Sequence, residues 1–143
     1  RPRGSCVKVV NQVHPSAEQA QAFFGGTEDG PFVMVNLLKF REKAAYEDGS
    51  DADLPGMAAY LRYGVKVRDM MVAAGGKPGY AGPVTGLMLG EVEELWDMVA
   101  LAEYPSLAAF RAMVNDPEYA KLARHRDAGL AGQLNIKTRG TLG

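Results

Sequence analysis

Across 143 residues the chain carries one cysteine, Cys6, two histidines, His14 and His125, and one tryptophan, Trp96. A lone cysteine has no partner for an internal disulfide. Three potential ligands of the Cys/His type are too few for a structural zinc cage within one chain, so no metal site is expected. Charge of one sign is lacking as well. Lys+Arg 16 against Asp+Glu 17 leaves a net charge of -1, and without a basic stripe interleaved with aromatics nucleic acid is not an expected partner. No apolar run approaches the ~18–20 residues of a membrane span. The two arginines near the start are followed by no apolar leader region, so a soluble, cytoplasmic protein is expected. The opening Arg1-Pro-Arg-Gly-Ser5 lacks an initiator Met, reads as partly vector-derived, and is left out of the fold. A glycine-rich phosphate fingerprint, a Gly-x-Ser-x-Gly elbow and paired histidines on a helix face are all missing. The run Asp51-Ala-Asp53 starts like a calcium loop but places Arg62 where the bidentate Glu is required.

What is present is ordinary globular composition, 47% hydrophobic and 23% charged, in a chain long enough to bury roughly 68–70% of its unfolded surface in one core. Ser16 precedes a helix pattern ending at Phe24, stopped by Gly25-Gly26. Phe32 to Phe40 is a β-rich run with apolar residues on both faces, the pattern of a central strand. A polar loop follows, with Pro55 placed for the first turn of a helix whose pattern runs to Ala74. Gly75-Gly76 ends it. Residues 77–90, with four glycines and two prolines, suit an irregular edge strand, and residues 95–104 form a second two-faced strand. Ser106 caps a helix to about Val114. Asp116 and Pro117 then open another to about Ala128, and residues 133–139 make a short polar last strand.

Read in order, residues 31–139 are βαββαβ, an α+β ferredoxin-like domain with an antiparallel four-stranded sheet in the order 4-1-3-2, and residues 1–30 are an extension with a short helix. In that order the middle strands are the two that read as buried on both faces. Helices cover only one sheet face, so the other is expected to be covered by a second copy of the chain.

The segments Val35-Asn36-Leu37-Leu38-Lys39-Phe40, Tyr60-Leu-Arg-Tyr63-Gly64, Gly75-Gly76, Trp96-Asp97, Tyr104-Pro105-Ser106, Asp116-Pro117-Glu118-Tyr119 and His125-Arg126 resemble the bacterial "domain of unknown function thirteen-thirty" family. The resemblance covers residues 31–137 and implies the dimeric α/β barrel arrangement, in which two ferredoxin-like chains press their sheets together. The family has no agreed activity. Superfamily relatives include cofactor-independent monooxygenases, muconolactone isomerases and haem proteins, an analogy that places a site without naming its chemistry.

Seven residues are candidates for that site, each with a plainer alternative. Asn36 shares a strand face with Phe32, Met34, Leu38 and Phe40 and either orients a substrate carbonyl or enolate or is satisfied by backbone or a dimer mate. Tyr60, Gly64 and Arg68, spaced by four, form one helix stripe that either binds an anionic or phenolic ligand or is a core aromatic, a packing notch and a snorkelling cation. Arg126 falls on the inner stripe of the last helix with Tyr119, Leu122 and Ala123, while His125 points roughly 100° away. His125 is the one imidazole of the matched region for acid/base work or haem ligation, though the helix macrodipole alone accounts for cations there. Trp96 stacks on a ligand or packs in the core or interface. The reading is a homodimer with a small, mostly apolar pocket between sheet and helices for a small organic molecule. As an enzyme it would need no cofactor: Asn36 with Arg126 or Arg68 would stabilise negative charge, and Tyr60 or His125 would move a proton in oxygenation or isomerisation of an enolisable or phenolic substrate. The alternatives are a non-catalytic ligand-binding or sensing dimer and haem binding through His125.

Overall fold

A computed structural model describes residues 9–27 and 29–143. Cys6 and the Arg1–Ser5 stretch lie outside the described residues. The elements in chain order are α1 (Ala17–Phe24), β1 (Phe32–Phe40), α2 (Gly56–Ala73), β2 (Lys77–Pro83), β3 (Met98–Tyr104), α3 (Leu107–Val114), α4 (Pro117–Gly129) and β4 (Leu130–Arg139). The four strands form one antiparallel sheet ordered β2-β3-β1-β4, which is the ferredoxin-like α+β arrangement with β1 and β3 in the middle.

Helix starts follow local chemistry. Ser16 accepts from Gln19 N while the Gln19 side chain accepts from Ser16 N, a closed capping box for α1. Ser106 accepts from Ala109 N at the start of α3, and Asp116 accepts from Glu118 N ahead of Pro117 in α4. Pro55 stands one residue earlier than expected, at the N-cap of α2 with Gly56 as the first helical residue. At the far end of α2, Gly75 takes φ +87, the left-handed conformation that terminates helices at little cost to glycine.

Strand ends depart further from the pattern. β2 stops at Pro83 and β3 starts only at Met98, so Trp96 lies in the connection and not on the strand. The join is nevertheless held: Val84 N donates to Asp97 O, Asp97 N to Leu38 O, and Phe40 N to the Asp97 carboxylate at 2.8 Å. That pairing gives the Trp96-Asp97 and Lys39-Phe40 segments one physical purpose, closing the end of β1. β4 begins at Leu130, directly after α4, because Leu130 is fully buried and pairs with Phe40 across a register shift.

Alternation along β1 sorts its two faces. Phe32 and Met34 pack with Val67 and Met71 of α2, Met113 of α3, and Ala102 and Tyr104 of β3. Phe32 and Leu38 are 1% and 0% exposed, each worth about 1.5–3 kcal/mol of apolar burial. The opposite face carries Val33, Val35 and Leu37, with Val99 and Leu101 of β3 and Leu134 and Ile136 of β4 beside them in register. No helix covers it. A smaller cluster of Ala44, Tyr46, Ala59 and Ala128 clamps the loop after β1 onto α2 and α4. There the helices cross so closely that a Cβ on Gly129 would lie 2.4 Å from Gly56 O and 2.7 Å from Tyr60 N. The extension also packs on the body: Phe23 meets Phe32 and Phe110 edge to face, and Gln12 and Gln133 exchange both backbone hydrogen bonds beside β4.

Candidate functional site

The helix-side face of the sheet carries a continuous polar chain at the β1/β4 boundary. Asn36 Nδ2 donates to Ala100 O at 3.1 Å, and its Oδ1 accepts from Gln133 Nε2 at 2.8 Å. Gln133 Oε1 accepts from Arg126 Nη2 at 2.7 Å. Arg126 Nη1 reaches Asp127 Oδ1 at 3.3 Å, and the same carboxylate oxygen lies 2.9 Å from His14 Nε2 of the N-terminal segment. Gln133 stands opposite Leu38 in register, a diagonal neighbour of Asn36 on one face. The bonds satisfy the Asn36 amide from within the chain, which is the plainer of its two expected roles.

Beside this chain lies a run of aromatics. The Phe40 and Tyr60 rings are 5.3 Å apart, Tyr60 and Tyr63 5.4 Å, and the Tyr63 and Tyr119 hydroxyls are hydrogen-bonded at 3.0 Å. Burial pushes the Tyr60 phenol up to about 12, against the opposing field of Arg126. Burial also raises Tyr63, assisted by Tyr119 and Tyr60. The Tyr60 hydroxyl differs from its neighbours in that no described residue hydrogen-bonds it, yet it is not a sealed, orphaned group. A half-buried phenol thus carries an O–H that no described residue engages, in the field of Arg126.

The fold therefore brings together Asn36, Tyr60 and Arg126 and separates the other four. Gly64 is approached by no strand, since a Cβ there would meet only Tyr60 Cε2 at an ordinary 3.8 Å. Arg68 is exposed on the solvent side of α2. Trp96 is half-buried and donates to Asn11 Oδ1 at 2.7 Å, docking the N-terminal segment. His125 faces away from Arg126 and contacts Tyr46. Gln133, which links Asn36 to Arg126, is not among the residues singled out from the sequence. Only strand register places it between Asn36 and Arg126. Among the described residues no group of three or more His, Cys, Asp or Glu side chains could hold a metal ion, and no helix is long and apolar enough to cross a membrane.

Residues 50–137 match the family described as a domain of unknown function (DUF1330). The chain belongs to the DUF1330 family. The match covers the Tyr60–Gly64, Asp116–Tyr119 and His125-Arg126 segments, while β1 with Asn36 lies outside it. Two crystal structures of the RPA0582 protein, one of them described as a protein of unknown function from Rhodopseudomonas palustris, superpose well on this DUF1330 chain. The methylated form is 33% identical with a TM-score of 0.84, covering 93% of this chain and 97% of that one. The other is 32% identical with a TM-score of 0.83, covering 94% and 100%. A dabb family protein with a ferredoxin-like fold from Mesorhizobium loti is 11% identical with a TM-score of 0.51, covering 78% of this chain and 98% of its own. It bears on the fold alone. No curated protein matches this chain.

Proposed function

We propose that this DUF1330 protein is a homodimer that holds a small organic molecule between sheet and helices, with a carbonyl, enolate or phenolate oxygen against Tyr60 and Arg126. The supporting observation is the Tyr60 hydroxyl, a donor on a half-buried ring left without a partner among the described residues. With its pKa near 12, Tyr60 stays protonated at neutral pH and enters as a hydrogen-bond donor, not as a base. Arg126 supplies the fixed positive charge, and Asn36 acts through Gln133 to hold the guanidinium in place. Donors aimed where negative charge develops are the electrostatic half of cofactor-free oxygenation or isomerisation of an enolisable or phenolic substrate. A binding or sensing dimer would use the same groups without turnover. The setting of His125 among Arg62, Lys66, Arg124 and the Tyr46 hydroxyl suits a small anion better than a flat apolar porphyrin, so haem ligation is not advanced.

Protein-observed NMR with small phenols, β-diketones and aromatic carboxylates tests the site. A saturating ligand is expected to shift resonances of Tyr60 and Arg126. Tyr60→Phe should weaken it about two- to tenfold and Arg126→Gln about tenfold or more, the ranges for neutral and charged hydrogen bonds. Unchanged affinity in both variants would overturn the reading. Loss of substrate turnover beyond the loss of affinity distinguishes an enzyme from a binding module.

The dimer rests on the uncovered sheet face. Val35, Leu37, Val99, Leu101 and Leu134, half-buried, and Ile136, exposed, adjoin one another across three strands, the type of patch that soluble proteins cover. Sedimentation velocity at micromolar concentration should give a dimer, and Val35→Lys, at the centre of the face, should give a monomer with unchanged circular dichroism. A monomeric parent protein refutes this part.

A further inference from the structure

A second constellation lies on the far side of α4 from Arg126, and the proposed pocket makes no use of it. The loop after β1 carries Tyr46, 7% exposed, into the crossing of α2 and α4. Its hydroxyl is 2.6 Å from His125 Nδ1 and 3.2 Å from Arg62 Nη1, and Arg62 Nη1 lies 2.9 Å from Asp51 Oδ2. Among the described residues the Tyr46 O–H has no acceptor other than Nδ1. A guanidinium only donates, so the Tyr46 oxygen accepts from Arg62, and the Tyr46 O–H is left to donate to Nδ1. The imidazole proton is thereby assigned to Nε2. No described residue hydrogen-bonds Nε2, and it is not a sealed orphan, so this N–H faces solvent.

Cations surround it. The Arg124 guanidinium lies 5.4 Å from the Tyr46 ring centre and that of Arg62 5.8 Å. Lys66 follows Arg62 by one turn on the same face of α2. Burial first, then Arg124, Arg62 and Lys66, hold the imidazole below its ordinary range, so it is neutral at pH 7. Two carboxylates face the cluster. Asp51 is taken by Arg62, and Asp48 accepts from the Ser50 hydroxyl and N–H while lying in the field of Arg124. Neither Lys66 nor Arg124 forms an ion pair with a described residue. Arg124 meets only the field of Asp48 and the Tyr46 ring, and both cations stand without an ion pair beside one oriented neutral donor.

We propose that His125 Nε2–H, Lys66 and Arg124 form a binding site for a phosphoryl dianion, free or as a monoester. Three donor groups from two helices match three phosphate oxygens, and two cations without an ion-pair partner match a charge of about two, where a carboxylate brings two coplanar oxygens and one charge. Tyr46 is a positioning residue, setting which imidazole nitrogen carries the proton.

The test is a titration of the intact protein with inorganic phosphate, and separately with glycerol phosphate, following His125 ring resonances at constant ionic strength with chloride as the reference salt. The expected result is a saturable shift with the His125 midpoint moved upward, because a bound anion offsets the cations that depress it. Lys66→Gln combined with Arg124→Gln should weaken the interaction about tenfold or more, and both residues are exposed, so the fold is retained. Tyr46→Phe should lower affinity and change the His125 tautomer signature in the nitrogen spectrum. Saturation by phosphate identifies the free ion, and saturation by the ester alone identifies an esterified ligand. No shift beyond that of chloride with either probe, or full affinity in the double variant, overturns the site.

Discussion

Replacing Gln133 by Ala interrupts the polar chain at its middle and provides the most direct check on how the interior is held. Gln133 is 8% exposed and makes two side-chain bonds, one to Asn36 Oδ1 and one from Arg126 Nη2. Losing the first removes a neutral hydrogen bond worth about 0.5–1.5 kcal/mol net, and losing the second removes a charged one worth about 1.5–3 kcal/mol. The Arg126 side chain is 17% exposed, so water replaces part of what the guanidinium loses and the lower half of the combined range applies. The expected destabilisation is about 2–3 kcal/mol, which a domain with roughly 5–15 kcal/mol of stability survives. Urea unfolding followed by circular dichroism should show a midpoint lowered by about 1–1.5 M for a slope near 2 kcal/mol/M, with the slope unchanged. Asn36→Ala, alone and combined with Gln133→Ala, completes a cycle. A coupling of about 0.5–3 kcal/mol is expected for groups in one network. A loss below about 0.5 kcal/mol in Gln133→Ala, or strict additivity in the cycle, would refute the claim that Asn36 and Arg126 are linked through this side chain.

Two further outcomes follow from the tyrosines and the helix crossing. Tyr60, Tyr63 and Tyr104 all have phenols raised by burial, Tyr60 to about 12. Their neutral forms stabilise the fold fully below the unfolded value near 10, and that contribution is lost as pH rises towards 12, because the unfolded chain ionises first. Thermal unfolding scanned from pH 8 to about pH 11 should show a falling midpoint above pH 10, with a smaller fall in Tyr60→Phe; a flat profile would contradict the burial of these rings. Gly129→Ala places a methyl group against backbone that cannot swing aside, at 2.4 Å from Gly56 O. It should cost several-fold more stability than the about 1 kcal/mol that helix propensity alone would return, read as a lowered thermal midpoint, and a more stable variant would disprove the close crossing.

Fold was legible in the sequence because it rests on short-range rules. Apolar alternation over Phe32–Phe40, the caps at Ser16, Ser106 and Asp116, and the glycine stop at Gly75 each act within a few residues. Strand limits were less legible where pairing partners decide them. Met98 and Leu130 open their strands because of what lies across the sheet, Leu38 in one case and Phe40 in the other. The Asn36–Arg126 neighbourhood was foreseen from helix and strand periodicity, whereas the placing of His125 with Tyr46 depends on a loop whose path no periodic pattern encodes.

By itself the sequence determined the helix and strand order, the two-sided character of β1 and β3, and the short roster of groups able to do chemistry in a chain with one cysteine and two histidines. Tertiary structure decided which of them meet. Register carried Gln133 between Asn36 and Arg126, and α4 directed Arg126 inward and His125 outward, which divides the candidates into two separate clusters. The physical reason is distance along the chain: hydrogen bonds between residues 97 and 79 positions apart are set by sheet pairing and helix docking, and no local residue pattern contains them.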